Sequence, residues 1–147
     1  MVITGGCLCG AVRYRLGAAP IVARSCWCRT CQDLGAGNAT VNAMFRSEAL
    51  QVEGETRDYA SAADSGNMIH RRFCPTCGTP MFAAAEVRPH LVIVRVGTLD
   101  DPSVVTPAST IWTDSKPPWG CLNLDLPGFP RQAPPPPAPP PASPPPA

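Results

Sequence analysis

The sequence predicts a mainly β domain held together by metal. One observation is its run of short segments in which apolar residues alternate or cluster as in strands, punctuated by glycine and proline. A second is the cysteines, seven of eight of which fall into three tight clusters: Cys7-Leu8-Cys9, Cys26-Trp27-Cys28-Arg29-Thr30-Cys31 and Cys74-Pro75-Thr76-Cys77. Neighbours one or two residues apart close very small disulfide rings, so several soft thiolates sharing one ion is the better reading. The third is size: 147 residues with 44% apolar content make one domain with a real core that still gains from a metal staple.

Taken in order, Val2–Thr4 and Val12–Leu16 predict a first hairpin, because Val12, Tyr14 and Leu16 alternate with Arg13 and Arg15. The turn between them carries Cys7 and Cys9 flanked by glycines, which let the backbone fold sharply and aim both thiolates inward. Residues 20–25 are extended and lead into the triple cluster. Residues 29–34 are helix-compatible until Gly35, Ala36 and Gly37 stop them. Strands are expected at Thr40–Phe45, at Leu50–Val52, and at Arg57–Ala60 as the second arm of a turn at 53–55. Residues 61–67 are small and polar, hence a loop. Met68–Phe73 delivers the chain to the knuckle at 74–78, and Pro80–Ala85 leaves it. Leu91–Val96 is a β-branched run ending at Gly97, and Ser109–Trp112 a last short strand. Composition changes near Arg131: eleven of the twenty prolines lie between Pro130 and Ala147. The expected organisation is a zinc-binding domain over 1–130 and a disordered proline-rich tail over 131–147, which prefers extended polyproline II.

The charge pattern excludes some functions. The formal net charge is +1, and eleven arginines and one lysine are scattered with no run beyond Arg71-Arg72. Nucleic-acid binding usually needs a concentrated basic face, so none is expected. No apolar stretch approaches the roughly 20 residues of a membrane helix. The first residues lack the basic head and apolar run of a secretion signal. A cysteine-rich chain of this kind is expected to be cytoplasmic, reduced and metal-binding.

Cys7 and Cys9 with Cys74 and Cys77 make a four-sulfur set, each pair on a glycine-flanked turn as in a zinc ribbon. Four thiolates fill a tetrahedral ion, so this site is structural. Cys26, Cys28 and Cys31 supply three thiolates with no obvious fourth ligand, the arrangement of a catalytic zinc with an open position. Two alternatives stand beside that reading: a closed site completed by Cys121, His70 or His90, and a cluster empty until its ligand arrives. Trp112 and Trp119, near the rigid Pro117-Pro118 pair, read as core or cleft wall.

These motifs resemble a known family. Cys-x-Cys-Gly, Cys-x-Cys-Arg-x-Cys, Phe-Cys-Pro-x-Cys-Gly-Thr, Gly-Thr-Leu-Asp-Asp-Pro and Ile-Trp-x-x-x-Lys-Pro-Pro-Trp, in that order, are similar to those of the glutathione-dependent formaldehyde-activating enzymes, a family that includes centromere protein V. The resemblance covers about residues 3–129. It implies a fold of stacked, twisted, zinc-ribbon-related β-sheets, with Cys7, Cys9, Cys74 and Cys77 on a structural zinc. It also implies a catalytic zinc on Cys26, Cys28 and Cys31, held more loosely and open to exchange with glutathione. The implied reaction is a carbon-sulfur lyase run in reverse: glutathione and formaldehyde giving S-hydroxymethylglutathione. The substrates are then a small thiol and an aldehyde. Because glutathione carries two carboxylates, arginines should frame the site, with Arg29 the first candidate and Arg71 and Arg72 the next. The alternative function is a non-catalytic binding module with both metals structural. One position departs from the family: many members carry histidine between the first two cysteines of the triple cluster, where this chain has Trp27. An indole cannot act as a base there, and a large apolar ring suits a less polar thiol or aldehyde.

Overall fold

A computed structural model describes residues 1–134; the rest of the expected proline-rich tail lies outside the described residues. The elements are β1 (Ile3–Gly6), β2 (Arg13–Leu16), β3 (Val22–Cys26), α1 (Arg29–Leu34), β4 (Thr40–Arg46), β5 (Leu50–Glu53), β6 (Arg57–Ala62), β7 (Met68–Phe73), β8 (Pro80–Ala85), β9 (Leu91–Arg95), β10 (Ser109–Ile111) and β11 (Gly128–Phe129). They form a three-stranded sheet of order β1-β2-β5 and an eight-stranded sheet of order β11-β10-β3-β4-β9-β8-β7-β6. The fold is mainly β, as expected. The pairings of β10 with β3 and with β11 are parallel, so the larger sheet is mixed at one end.

One core joins the two sheets. Ile3, Tyr14 and Leu16 from the small sheet share it with Ala43, Phe45, Phe82, Val92 and Val94 from the large one. Tyr14 meets Phe82 edge to face, centroids 5.1 Å apart at 75°, an arrangement favoured by the ring quadrupoles. Side chains alternate across a strand, so the residues between these core positions point to the opposite face of the large sheet. That second face builds the candidate site.

The expected pairing of the 50s strands is overturned. β5 pairs with β2, Leu16 opposite Leu50 and Tyr14 opposite Val52, while β6 pairs with β7. Burial decides this: Leu50 and Val52 pack against the core, whereas β6 is exposed along almost its whole length and forms a sheet edge. β6 also runs to Ala62, two residues into the expected loop. β11 is a strand without a sequence signal, since prolines flank it and its two residues are defined only by pairing with β10. Residues 131–134, expected to begin the tail, remain on the domain: Ala133 is buried, and the Arg131 carbonyl accepts from Trp112 N at 3.0 Å.

Candidate metal centres and an arginine-lined cleft

The β1–β2 turn and the β7–β8 turn meet. Gly10 and Gly78 hold φ of 80° and 73°, a left-handed backbone that glycine adopts without steric cost. Gly10 N donates to the Cys7 carbonyl and Gly78 N to the Cys74 carbonyl, closing each turn. Cys7 Sγ lies 3.6 Å from Cys9 Sγ, and Cys9 Sγ 3.8 Å from Cys74 Sγ. All four sulfurs lie within 4.8 Å of one another. A tetrahedron with metal–sulfur bonds of about 2.3 Å has edges of about 3.8 Å, so the set fits one ion. Thr79 Oγ1, 3.0 Å from Cys77 Sγ, helps pull the Cys77 pKa down to about 5. This centre could hold a metal that ties the small sheet to the large one.

The second centre forms where β3 runs into α1. Cys26 ends the strand, and Cys28 caps the helix, its Sγ accepting from Cys31 N at 3.4 Å. Cys31 stands one turn on, and the three buried sulfurs lie within 4.8 Å of one another. Hydrogen bonds from Cys26 and Cys28, then from Thr40, together with the charge of Arg95, push the Cys31 pKa far down, while hydrogen bonds to Cys28 and Cys31, and then burial, push Cys26 far up. Gln32 fixes the helix: its Nε2 donates to the carbonyls of Trp27 at 2.7 Å and Ser115 at 2.9 Å. Among the described residues no fourth histidine, cysteine or carboxylate joins this group. His70 sits between Asp58 and Glu86, and the exposed Cys121 lies in another hollow, with Trp27.

The three thiols open onto a cleft of about 150 Å³ on the second face of the large sheet. Two cross-strand rows pave its floor. Arg24 lies opposite Asn42, and Asn42 opposite Arg95. Val22, Met44, Ile93, Ala83 and Arg71 follow in the next row. The lining holds four arginines, Arg24, Arg71, Arg88 and Arg95, against one carboxylate, Asp64. Among the described residues none of the four pairs with a carboxylate. The Nε atoms of Arg24 and Arg95 are buried without a partner, which is costly for a charged donor unless a ligand supplies the acceptor. Burial, and then the neighbouring charge of Arg95, lower the Arg71 pKa; an anion here would relieve both.

Of the arginines expected from sequence, Arg71 lines this cleft and donates to Ser61 Oγ at 2.6 Å. Arg72 does not, because the next residue of a strand faces the other way; its guanidinium stacks 4.8 Å from the Phe82 ring centroid. Arg29 is exposed and donates to Gln32 Oε1, while its backbone N donates to Asp64 at 3.1 Å. The sequence reasoning missed Arg24, Arg88, Arg95 and Asn42. A signal existed for Arg24, which sits two residues before Cys26 in one strand and so shares its face. Trp27 faces away from the cleft, so close to Gly120 that a Cβ there would strike the indole. The large apolar ring expected to suit a less polar substrate is therefore no part of the cleft lining.

The chain is similar to known proteins in sequence and in fold. The sequence pattern of the family described as "Glutathione-dependent formaldehyde-activating enzyme" matches residues 2–115. A Halomonas elongata protein, named provisionally as a glutathione-dependent formaldehyde-activating enzyme, is 26% identical over 125 residues, 81% of this chain and 80% of that protein. A crystal structure of a Rhodobacter sphaeroides protein superposes with a TM-score of 0.52 at 26% identity, covering 66% of this chain and 87% of the other. No helix among the described residues is long and apolar enough to cross a membrane.

Proposed function

The chain belongs to the glutathione-dependent formaldehyde-activating enzyme family, and on that premise we propose that it joins a thiol to a small aldehyde at Cys26, Cys28 and Cys31. The pair is glutathione and formaldehyde, giving S-hydroxymethylglutathione: the S–H bond breaks, a C–S bond forms, and the aldehyde oxygen takes the proton. In the opposite direction this is a carbon-sulfur lyase. A zinc ion on the three thiolates would supply the acidity that makes an entering thiol a nucleophile near neutral pH. Arg95, braced by Asn42 Oδ1 at 2.5 Å and Thr40 Oγ1 at 3.2 Å, is positioned to stabilise the alkoxide that develops as sulfur attacks. Arg24 and Arg71 are the partners for the thiol's carboxylates. The cleft stays electropositive even after three thiolates and a doubly charged ion are counted. A zinc on Cys7, Cys9, Cys74 and Cys77 serves the fold. Clustered thiols of this kind suit a reducing, cytoplasmic setting.

The observation that carries this reading is that three buried thiols share one cleft with four arginines lacking carboxylate partners. A non-catalytic module with two closed structural sites would need a fourth protein ligand at the triple cluster, and Cys121, His70 and His90 are absent from that group. The test is exchange NMR of ¹³C-formaldehyde with glutathione, alongside zinc per chain with and without glutathione. Wild type should speed adduct exchange above the uncatalysed background, and Cys28→Ser should abolish the excess. Background rates from a fully zinc-loaded protein would refute the reading.

A further inference from the structure

The last described residues return to the three thiols. Ala133 is buried with Cys26, Cys28, Cys31 and Ile111 in a cluster separate from the main core. Gln132 lines the cleft, and its Oε1 accepts from Trp112 Nε1 at 3.4 Å. The Pro134 carbonyl accepts from Arg24 Nη2 at 3.0 Å. These contacts come from beyond residue 115, where the family match ends.

The segment also holds an unusual backbone in place. Trp112 has φ 59°, a left-handed conformation that is a genuine outlier for a bulky residue and persists only where surroundings over-determine it. Its backbone N is bound by the Arg131 carbonyl and its indole by Gln132. Trp112 itself lines the cleft, so the wall and the segment that fastens it are one unit.

We propose that Gln132–Pro134 form a strap that walls one side of the cleft over Cys26, Cys28 and Cys31 and sets how large a thiol or aldehyde can reach them. The proposal rests on the reading of this cleft as a thiol–aldehyde site. Arg24 fastens the strap through Pro134, and Ala133 supplies a small apolar surface against the sulfurs. A small aldehyde needs only the open side of the cleft, whereas a bulky reagent must first displace the strap.

The test compares two shortened, zinc-loaded chains, one ending at Arg131 and a control ending at Pro137, which keeps the strap and avoids placing a terminal carboxylate on Arg24. Each is labelled with N-ethylmaleimide and with a bulky fluorescein maleimide, and the modified cysteines are mapped by mass spectrometry. In the chain ending at Arg131, bulky labelling of Cys26, Cys28 and Cys31 should be about tenfold faster than in the control, since a local opening step is no longer needed. N-ethylmaleimide rates there should change far less, and Cys9 and Cys77 should react equally in both chains. The same ratio of bulky to small labelling in both chains overturns the strap. If the shorter chain fails to fold, full-length Ala133→Asp, which sets a charge beside the thiolates, is read in the same way. Labelling needs no turnover, so the result stands apart from whether the chain joins thiols to aldehydes.

Discussion

Arg95 Nη1 lies 3.9 Å from Cys31 Sγ. The two residues come from distant parts of the chain, the end of β9 and the first turns of α1. Their meeting turns a thiol cluster into a site with a directed positive charge. Asn42 and Thr40, on neighbouring β4, hold the guanidinium in place, so little reorganisation is needed when charge develops nearby.

Arg95→Met should therefore lower kcat by about a hundredfold, the usual cost of losing one donor to a developing oxyanion. Its KM for glutathione should move much less. Steady-state kinetics at saturating aldehyde read the split; a change confined to KM would make Arg95 a carboxylate anchor instead.

On the proposed reading the two cysteine sets divide the labour. Cys77→Ser should unfold or severely weaken the domain, because a metal held by Cys7, Cys9, Cys74 and Cys77 at the junction of the two sheets would be coupled to folding. Cys28→Ser should leave a folded protein that has lost its activity. Thermal unfolding followed by circular dichroism compares them, and equal losses in Tm would contradict this assignment.

Tyr14 links the core to the cleft. Thr98 Oγ1 donates to the Arg95 carbonyl at 2.7 Å, so its 2.7 Å contact with the Tyr14 hydroxyl requires Tyr14 as donor. Tyr14→Phe leaves a buried oxygen short of a partner and should cost about 1–2 kcal/mol in urea unfolding. An unchanged midpoint would mean that water replaces the hydroxyl.

His70 gives the fold a pH dependence. Its imidazole lies between Asp58 and Glu86, whose hydrogen bonds, Asp58 first, raise its pKa above the ordinary 6.5. The folded protein therefore holds this proton more tightly than the unfolded chain does. The stabilisation is fully present below pH 6.5 and is lost as pH rises through the raised folded value. Wild type should lose its stability advantage over His70→Gln across that interval, measured by urea unfolding at several pH values. A difference that grows with pH would show that the imidazole stabilises the fold in its neutral form.

Much of the architecture was readable along the chain because its signals are local. The alternation of Val12, Tyr14 and Leu16, the paired thiols of each knuckle and the limits of β7 and β8 each depend on a few adjacent residues. The pairing of β5 was not readable, since the turn at 53–55 suits a hairpin and only the burial of Leu50 and Val52 sends the strand to β2 instead. Arg72 looked equivalent to Arg71 in sequence, and one step along a pleated strand put it on the opposite face.

The sequence by itself determined which atoms could bind metal and that there are two sets of them, because ligand spacing on a turn is a short-range property. Tertiary structure alone decided which cations and which wall surround the second set. Arg24, Asn42 and Arg95 become neighbours only when β3, β4 and β9 pair in register, and Ala133 reaches the thiols only because the chain returns along β10. Such placements follow from long-range burial and hydrogen bonding, for which no single stretch of the chain carries the instruction.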